Sequence, residues 1–288
     1  MYDSPTDSKY FDVVEVNDNN LGIGWQIFLK PETAANLTGK VTLPTTFTKN
    51  GKTKDVVSVG GNSNNKSTFA YSNIEHVFFM PNGKYKSVGT EAFGNSAGNR
   101  IIKGVYLPDT ITYIGESAFR GTRNLKTVTL NDNITYIGNN AFNMGSAGVL
   151  ELNKLPTNLE YLGSNAFYQG GDGIVLSDIP LKLKEISDSA FYRCKNVTIN
   201  VFGSLKGEIG GSQLTSIGRN AFYQGSITTG YNDDLSAIWI LDSITNIGQG
   251  AFTNYGPDNI PINVTYSEEK ATWINNEISE SSDNINFD

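Results

Sequence analysis

The sequence predicts an elongated repeat solenoid with a parallel sheet of one short strand per repeat, and three observations predict it. A six-residue phrase occurs seven times: a β-branched residue or Leu, usually Gly, two variable residues, then Ala-Phe. Its last residues, Phe93, Phe119, Phe142, Phe167, Phe191, Phe222 and Phe252, lie 23 to 31 residues apart. Between phrases runs a short alternating segment, such as Val105-Tyr106-Leu107 or Ile238-Trp239-Ile240. Units of this size cannot bury an apolar face alone, so neighbours must stack and share one core.

Taken in order, residues 11–16 and 24–29 read as two strands around a polar turn at 17–20, and cap the open end of the solenoid. With a lead-in they make up 1–37. The solenoid occupies 38–266. Its first unit, 38–76, is degenerate: Val41-Thr42-Leu43-Pro44 leads to Val57-Ser58-Val59-Gly60 and to Phe69-Ala70, with the Ala-Phe order disturbed. The regular units fill 77–266, and their strands are Val105-Tyr106-Leu107, Val128-Thr129-Leu130, Leu150-Glu151-Leu152, Ile174-Val175-Leu176, Val197-Thr198-Ile199 and Ile238-Trp239-Ile240. First and third residues point inward. Asp109, Asp132 and Asp242 follow three of these strands, where a carboxylate can bond nearby amides and bend the chain. Residues 262–266 read as the last strand. A cap helix with Trp273 and a loose polar tail complete 267–288.

The phrase has a packing explanation. Ala lets coils approach, and the Phe rings stack as a spine worth about 1.5–3 kcal/mol each in burial. Its Gly answers either crowding or a positive φ. Ser187 replaces that Gly in the fifth copy.

These units resemble the BspA-like leucine-rich repeats of bacterial surface proteins. The resemblance rests on strands ending in Leu107-Pro108 or Met80-Pro81, then Ile-Gly-x-x-Ala-Phe, then a small residue such as Cys194 after Phe191, and it covers residues 78–265. It implies a right-handed leucine-rich-repeat superhelix with short helical or 3-10 turns around Ala-Phe. It also implies a secreted or surface-attached protein that binds host proteins or other cells.

Composition narrows the chemistry. With 22 basic and 29 acidic residues the chain carries −7, which opposes nucleic-acid binding by counterion release. No apolar run reaches the roughly 18 residues of a membrane span, and residues 1–10 lack the basic-then-apolar pattern of a signal peptide. Cys194 and His76 are each the single residue of their type, too few for a disulfide, a structural zinc site or a Ser-His-Asp triad with its motif. Gly60-Gly61 and Gly170-Gly171 lack the Lys and Ser/Thr of a phosphate loop. No catalytic residue, cofactor site or metal site is expected.

A binding surface would lie on the outward row of the strands: Phe79, Tyr106, Thr129, Glu151, Val175, Thr198 and Trp239. Phe79, Tyr106 and Trp239 are residue types that anchor interfaces, although the same rings could simply pack on neighbouring strands. Two longer loops, 200–213 and 225–235, map to the surface, and Tyr231, Asp233 and Asp234 are their candidate contacts. The expected function is a non-enzymatic protein- or glycan-binding adhesion module, extracellular or at the cell surface. The alternatives are a structural or receptor-facing subunit of a phage particle or other large assembly, hence a virion location, and an accessory domain of a larger cell-surface enzyme. Partners would be a protein, a glycan or neighbouring subunits, with no nucleic acid and no membrane insertion.

Overall fold

The computed structural model describes residues 4–60, 68–94, 101–145, 148–171, 173–174, 179–194, 197, 201–202, 210–223, 238–240, 243–252, 262–264 and 285–287. The chain opens with β1 (Phe11–Asp18), β2 (Gly22–Leu29), β3 (Thr38–Leu43), β4 (Thr46–Lys49), β5 (Lys52–Val59) and β6 (Asn73–Phe79). Short strands then alternate: β7 (Ser87–Val88), β8 (Gly104–Tyr106), β9 (Tyr113–Ile114), β10 (Thr127–Val128), β11 (Tyr136–Ile137) and β12 (Tyr161–Leu162). They continue as β13 (Glu185–Ile186), β14 (Val201–Phe202), β15 (Ser216–Ile217), β16 (Ile238–Ile240), β17 (Asn246–Ile247), β18 (Ile262–Val264) and β19 (Ile285–Phe287).

Most described coils therefore supply two short strands, where one was expected; the coils at Glu151–Leu152 and at Ile174 meet the first sheet through isolated bridges. The alternating segments form the first sheet, in the order β3-β6-β8-β10 and, further on, β14-β16-β18-β19. The start of the phrase itself forms the second, β2-β5-β7-β9-β11-β12 followed by a separate β13-β15-β17. All these pairings are parallel. The antiparallel hairpin of β1 and β2 lies beside the first coil and buries Phe11, Ile27 and Leu29.

The Ala-Phe corner makes the third side of the coil. There Phe93, Phe119, Phe142, Phe167, Phe191 and Phe222 each donate a backbone bond to the Ala carbonyl of the next coil, at 2.7–2.8 Å. Consecutive turns such as Ala118 N–H to Gly115 O and Arg120 N–H to Ser117 O shape this corner. Among the described corners of the coils, the first, Thr68–Tyr71, is a 3-10 helix. Elsewhere the corner is a series of i+3→i turns, as at Gly115–Thr122 and Gly163–Gly170, that do not merge into a continuous helix.

The core is a set of columns along the stack. Val41, Val77, Val105, Val128, Leu152 and Ile174 share one register and are all buried. The Phe spine runs from Phe69 through Phe252 with ring centroids 4.9–5.6 Å apart, and every ring is at most 2% exposed.

Local details resolve what the sequence left open. The phrase Gly answers crowding: a Cβ on Gly138 would lie 2.7 Å from the backbone nitrogen of Glu116 in the preceding coil. Positive φ falls two residues later, at Glu91, Ser117, Asn140, Asn165, Ser189 and Asn220, with φ of 51–57°, and at Gly250 with φ of 70°. Gly and Asn suit that conformation. At the second Asp bend, Asn131 makes the local turn by accepting from Asn133 N–H at 2.8 Å. Asp132 instead reaches the next coil, where it accepts from Lys154 Nζ at 2.8 Å and from the amide and hydroxyl of Thr157 at 3.1 and 2.7 Å. Asp242 lies outside the described residues.

Two strand assignments are corrected. The partner of β16 is Val201–Phe202, with Val201 opposite Trp239, where Thr198 was expected; residues 198–200 lie outside the described residues. The supposed loose tail contains β19, which extends the sheet beside β18. Ile285-Asn286-Phe287 repeats the alternation of Ile262-Asn263-Val264, which is why it fits that edge. The proposed cap helix at 268–278 lies outside the described residues.

Candidate functional site

The outward face of the first sheet holds an aromatic cluster. Phe78 pairs in register with Tyr106, and their rings are parallel at 4.5 Å. His76 lies on the same face, with Nδ1 3.4 Å from the Tyr106 hydroxyl and the two rings 6.0 Å apart. All three side chains are half-buried. Gly104 makes the meeting possible, since a Cβ there would come within 2.7 Å of His76 Nδ1 and 3.0 Å of the Tyr106 hydroxyl.

Phe79 does not belong to this face. It is 3% exposed and packs edge-on against buried Tyr85 at 4.9 Å, while Tyr85 donates to the Leu43 carbonyl at 2.8 Å. Strand residues alternate sides, so pairing Phe79 with Leu43 puts both inside and leaves Phe78 outside. The Phe78-Phe79 doublet gave the sequence no means of choosing between them.

The rest of the predicted row is placed as follows. Tyr106 is its one residue in the cluster. Thr129 is exposed in the following coil and donates to the Leu107 carbonyl at 3.0 Å. Glu151 is also exposed, but it bridges to Thr127 and belongs two residues back, in the column of His76 and Gly104. There it pairs with Lys126 at 3.0 Å. Trp239 lies on β16 between Val201 and Asn263. Val175, Thr198, Tyr231, Asp233 and Asp234 fall outside the described residues.

On the N-terminal side of Phe78 the row is closed by Thr42, which is 5% exposed. Thr6 covers it by donating its amide to the Thr42 carbonyl and accepting the Thr42 amide on its hydroxyl, both at 3.0 Å. Toward the C-terminus the small Thr129 follows Tyr106. The cluster is thus a bounded aromatic island on a rigid sheet.

The second sheet carries an aromatic column that sequence reasoning missed. Tyr113, Tyr136 and Tyr161 precede the phrase in three successive copies, and their rings stack at 4.5 Å. Burial and the adjoining phenols push the Tyr136 hydroxyl up to about 12. A third column, Tyr168, Tyr192 and Tyr223, follows Ala-Phe at spacings of 4.6 and 4.9 Å, with Arg193 over the Tyr192 ring at 5.5 Å. Recurrence of Tyr at one phase of the repeat was the available signal.

Cys194 is 1% exposed and donates to the Phe167 carbonyl at 2.8 Å. Burial pushes its thiol up to about 12, which makes it a packing residue and a poor nucleophile. Among the described residues no three His, Cys, Asp or Glu side chains gather as a metal site, and no helix is long and apolar enough to cross a membrane.

The description "BspA type leucine rich repeat region" matches residues 62–198 in six copies. A comparison with curated proteins finds no match. Among solved structures, the chain is similar to a leucine-rich repeat protein from Bacteroides ovatus at 16% identity and a TM-score of 0.56, over 93% of this chain and 66% of the other. It is also similar to a leucine-rich cell surface protein from Faecalibacterium prausnitzii at 17% identity and a TM-score of 0.57, over 91% of this chain and 71% of the other. The chain thus spans just under two-thirds of the Bacteroides protein. At such identities the likeness is one of fold, and it agrees with the paired sheets and Phe spine. Residues 62–198 match the BspA-type leucine-rich repeat description, and the chain folds as a leucine-rich-repeat solenoid.

Proposed function

We propose that this chain is a non-enzymatic, protein-binding adhesion module of a bacterial surface or secreted protein. The observation that carries the reading is the half-exposed island of His76, Phe78 and Tyr106 on the outer face of the first sheet. Aromatic residues on a rigid support bring contact area at little entropic cost, as interface anchors do. The likeness in fold to a leucine-rich cell surface protein of Faecalibacterium supports the location.

A protein partner fits this island better than a sugar. The Phe78 and Tyr106 rings are stacked on each other, with the Tyr106 hydroxyl and the His76 imidazole beside them, and this mixture of apolar and polar groups suits the surface of a protein.

The test is to spread the purified chain over arrays of immobilised host extracellular proteins and of glycans, beside a Phe78→Ala/Tyr106→Ala variant with an unchanged melt. The reading expects protein spots that the variant loses. Binding confined to glycans, or retained in full by the variant, overturns it.

A further inference from the structure

The second sheet is interrupted at one step. Going from β7 to β9, Thr112 N–H bonds Lys86 O and Gly115 N–H bonds Val88 O; going on to β11, Thr135 N–H bonds Thr112 O and Gly138 N–H bonds Ile114 O. The step to β12 repeats the pattern with Glu160 to Thr135 O and Gly163 to Ile137 O, all six bonds being 2.7–2.9 Å long. Beyond the interruption it returns, with Thr215 to Lys184 O, Gly218 to Ile186 O and Gly248 to Ile217 O at 2.7–2.9 Å. Between β12 and β13 the equivalent pairs, Lys184 with Glu160 O and Ser187 with Leu162 O, are not bonded, and the sheet ends and restarts.

The interruption coincides with the one copy whose Gly is replaced. A Cβ on Gly115, Gly138, Gly163, Gly218 or Gly248 would stand 2.4–2.7 Å from a backbone nitrogen of the preceding coil. Ser187 brings such a Cβ, so its coil must stand off. The opposite side of the same two coils stays closed: Asn165 bonds Asp188 O, Phe167 bonds Ala190 O and Gln169 bonds Tyr192 O at 2.8–2.9 Å. Phe167 and Phe191 still stack, at 5.5 Å, within the 4.9–5.6 Å range of the whole spine. The Tyr column also stops here, at Tyr161, which is 40% exposed, with Glu185 at the next position of the repeat.

We propose that the step from β12 to β13 is a built-in hinge of the solenoid. The coils up to Leu162 and those from Glu185 rock about the bonded Ala-Phe corner, opening and closing the sheet beside Tyr161. Ser187 sets the gap by keeping the two strands from zipping. This inference does not depend on what the chain binds.

The test is amide hydrogen exchange on the full chain. Backbone amides held by a ladder bond exchange through opening, whereas unbonded ones are released far more readily. In the wild type the Lys184 and Ser187 amides should exchange at least about tenfold faster than Glu160, Gly163, Thr215 and Gly218. Ser187→Gly should bring them down to the level of those neighbours. Spin labels at Thr135→Cys and Thr245→Cys should give a broad distance distribution that narrows in Ser187→Gly. Wild-type amides already as slow as their neighbours would overturn the hinge, as would a Ser187→Gly chain unchanged in both readouts. Should that variant fail to fold, the wild-type exchange pattern decides alone.

Discussion

The Phe spine and the Tyr113, Tyr136 and Tyr161 column stack almost alike, at 4.9–5.6 Å inside and 4.5 Å outside, yet they do different things. Neighbouring strands lie about 4.8 Å apart, so any aromatic repeated at one phase of the coil meets its successor face to face. Stacking follows from the period and says nothing by itself about a ligand. Burial separates the two columns. The Phe rings are withdrawn from water, whereas the Tyr rings keep edges and hydroxyls outward and gain mainly from contact with each other.

That contrast can be broken by truncation. Phe142→Ala should cost about 3–5 kcal/mol, because it opens a cavity between two rings that cannot close over it. Tyr136→Ala, the middle of the outer column, should cost about 1 kcal/mol. Thermal or urea unfolding of both variants checks the ratio. Equal losses would mean that the outer column carries core-like stability.

A smaller effect sharpens the role of contacts between coils at the surface. The Lys154 ammonium and the two Thr157 donors hold the Asp132 carboxyl at about 2, below its ordinary value. A depressed carboxyl contributes stability above its unfolded value of about 3.9, and that contribution is lost as pH falls through about 2. Both partners are about half exposed, so Asp132→Asn should cost less than about 1 kcal/mol at pH 7. The difference from wild type should shrink as pH falls from about 4 and vanish below about pH 2. A difference that persisted there would assign the effect to the hydrogen bonds of Thr157 and not to charge.

The inward columns were legible because burial imposes strict periodicity: the Phe residues and the Val105 column could be read directly. The second sheet was not, since a two-residue strand such as Tyr136–Ile137 shows no alternation to detect. Phe78 was missed for Phe79 because both members of a doublet satisfy an aromatic rule, and only the pairing of β6 with β3 and β8 decides the side. Glu151 was displaced by two residues because its coil meets the sheet through isolated bridges at Glu151 and Leu152, without a full strand to fix the frame. Outward positions carry weaker constraints, and a candidate binding face is made of outward positions.

The adjacent residues Phe78 and Phe79 give the most direct test of the central claim, that a bounded outward aromatic island does the binding while the inward columns hold the fold. The measurement is affinity per folded molecule for a protein captured on the array, taken with the melt of Phe78→Ala and Phe79→Ala. The account predicts that Phe78→Ala keeps nearly the wild-type melt and loses at least about tenfold in affinity, or about 1.4 kcal/mol. Phe79→Ala should lose about 3–5 kcal/mol of stability with its per-molecule affinity intact. A Phe78→Ala chain that melts like Phe79→Ala and binds as well as wild type would contradict it.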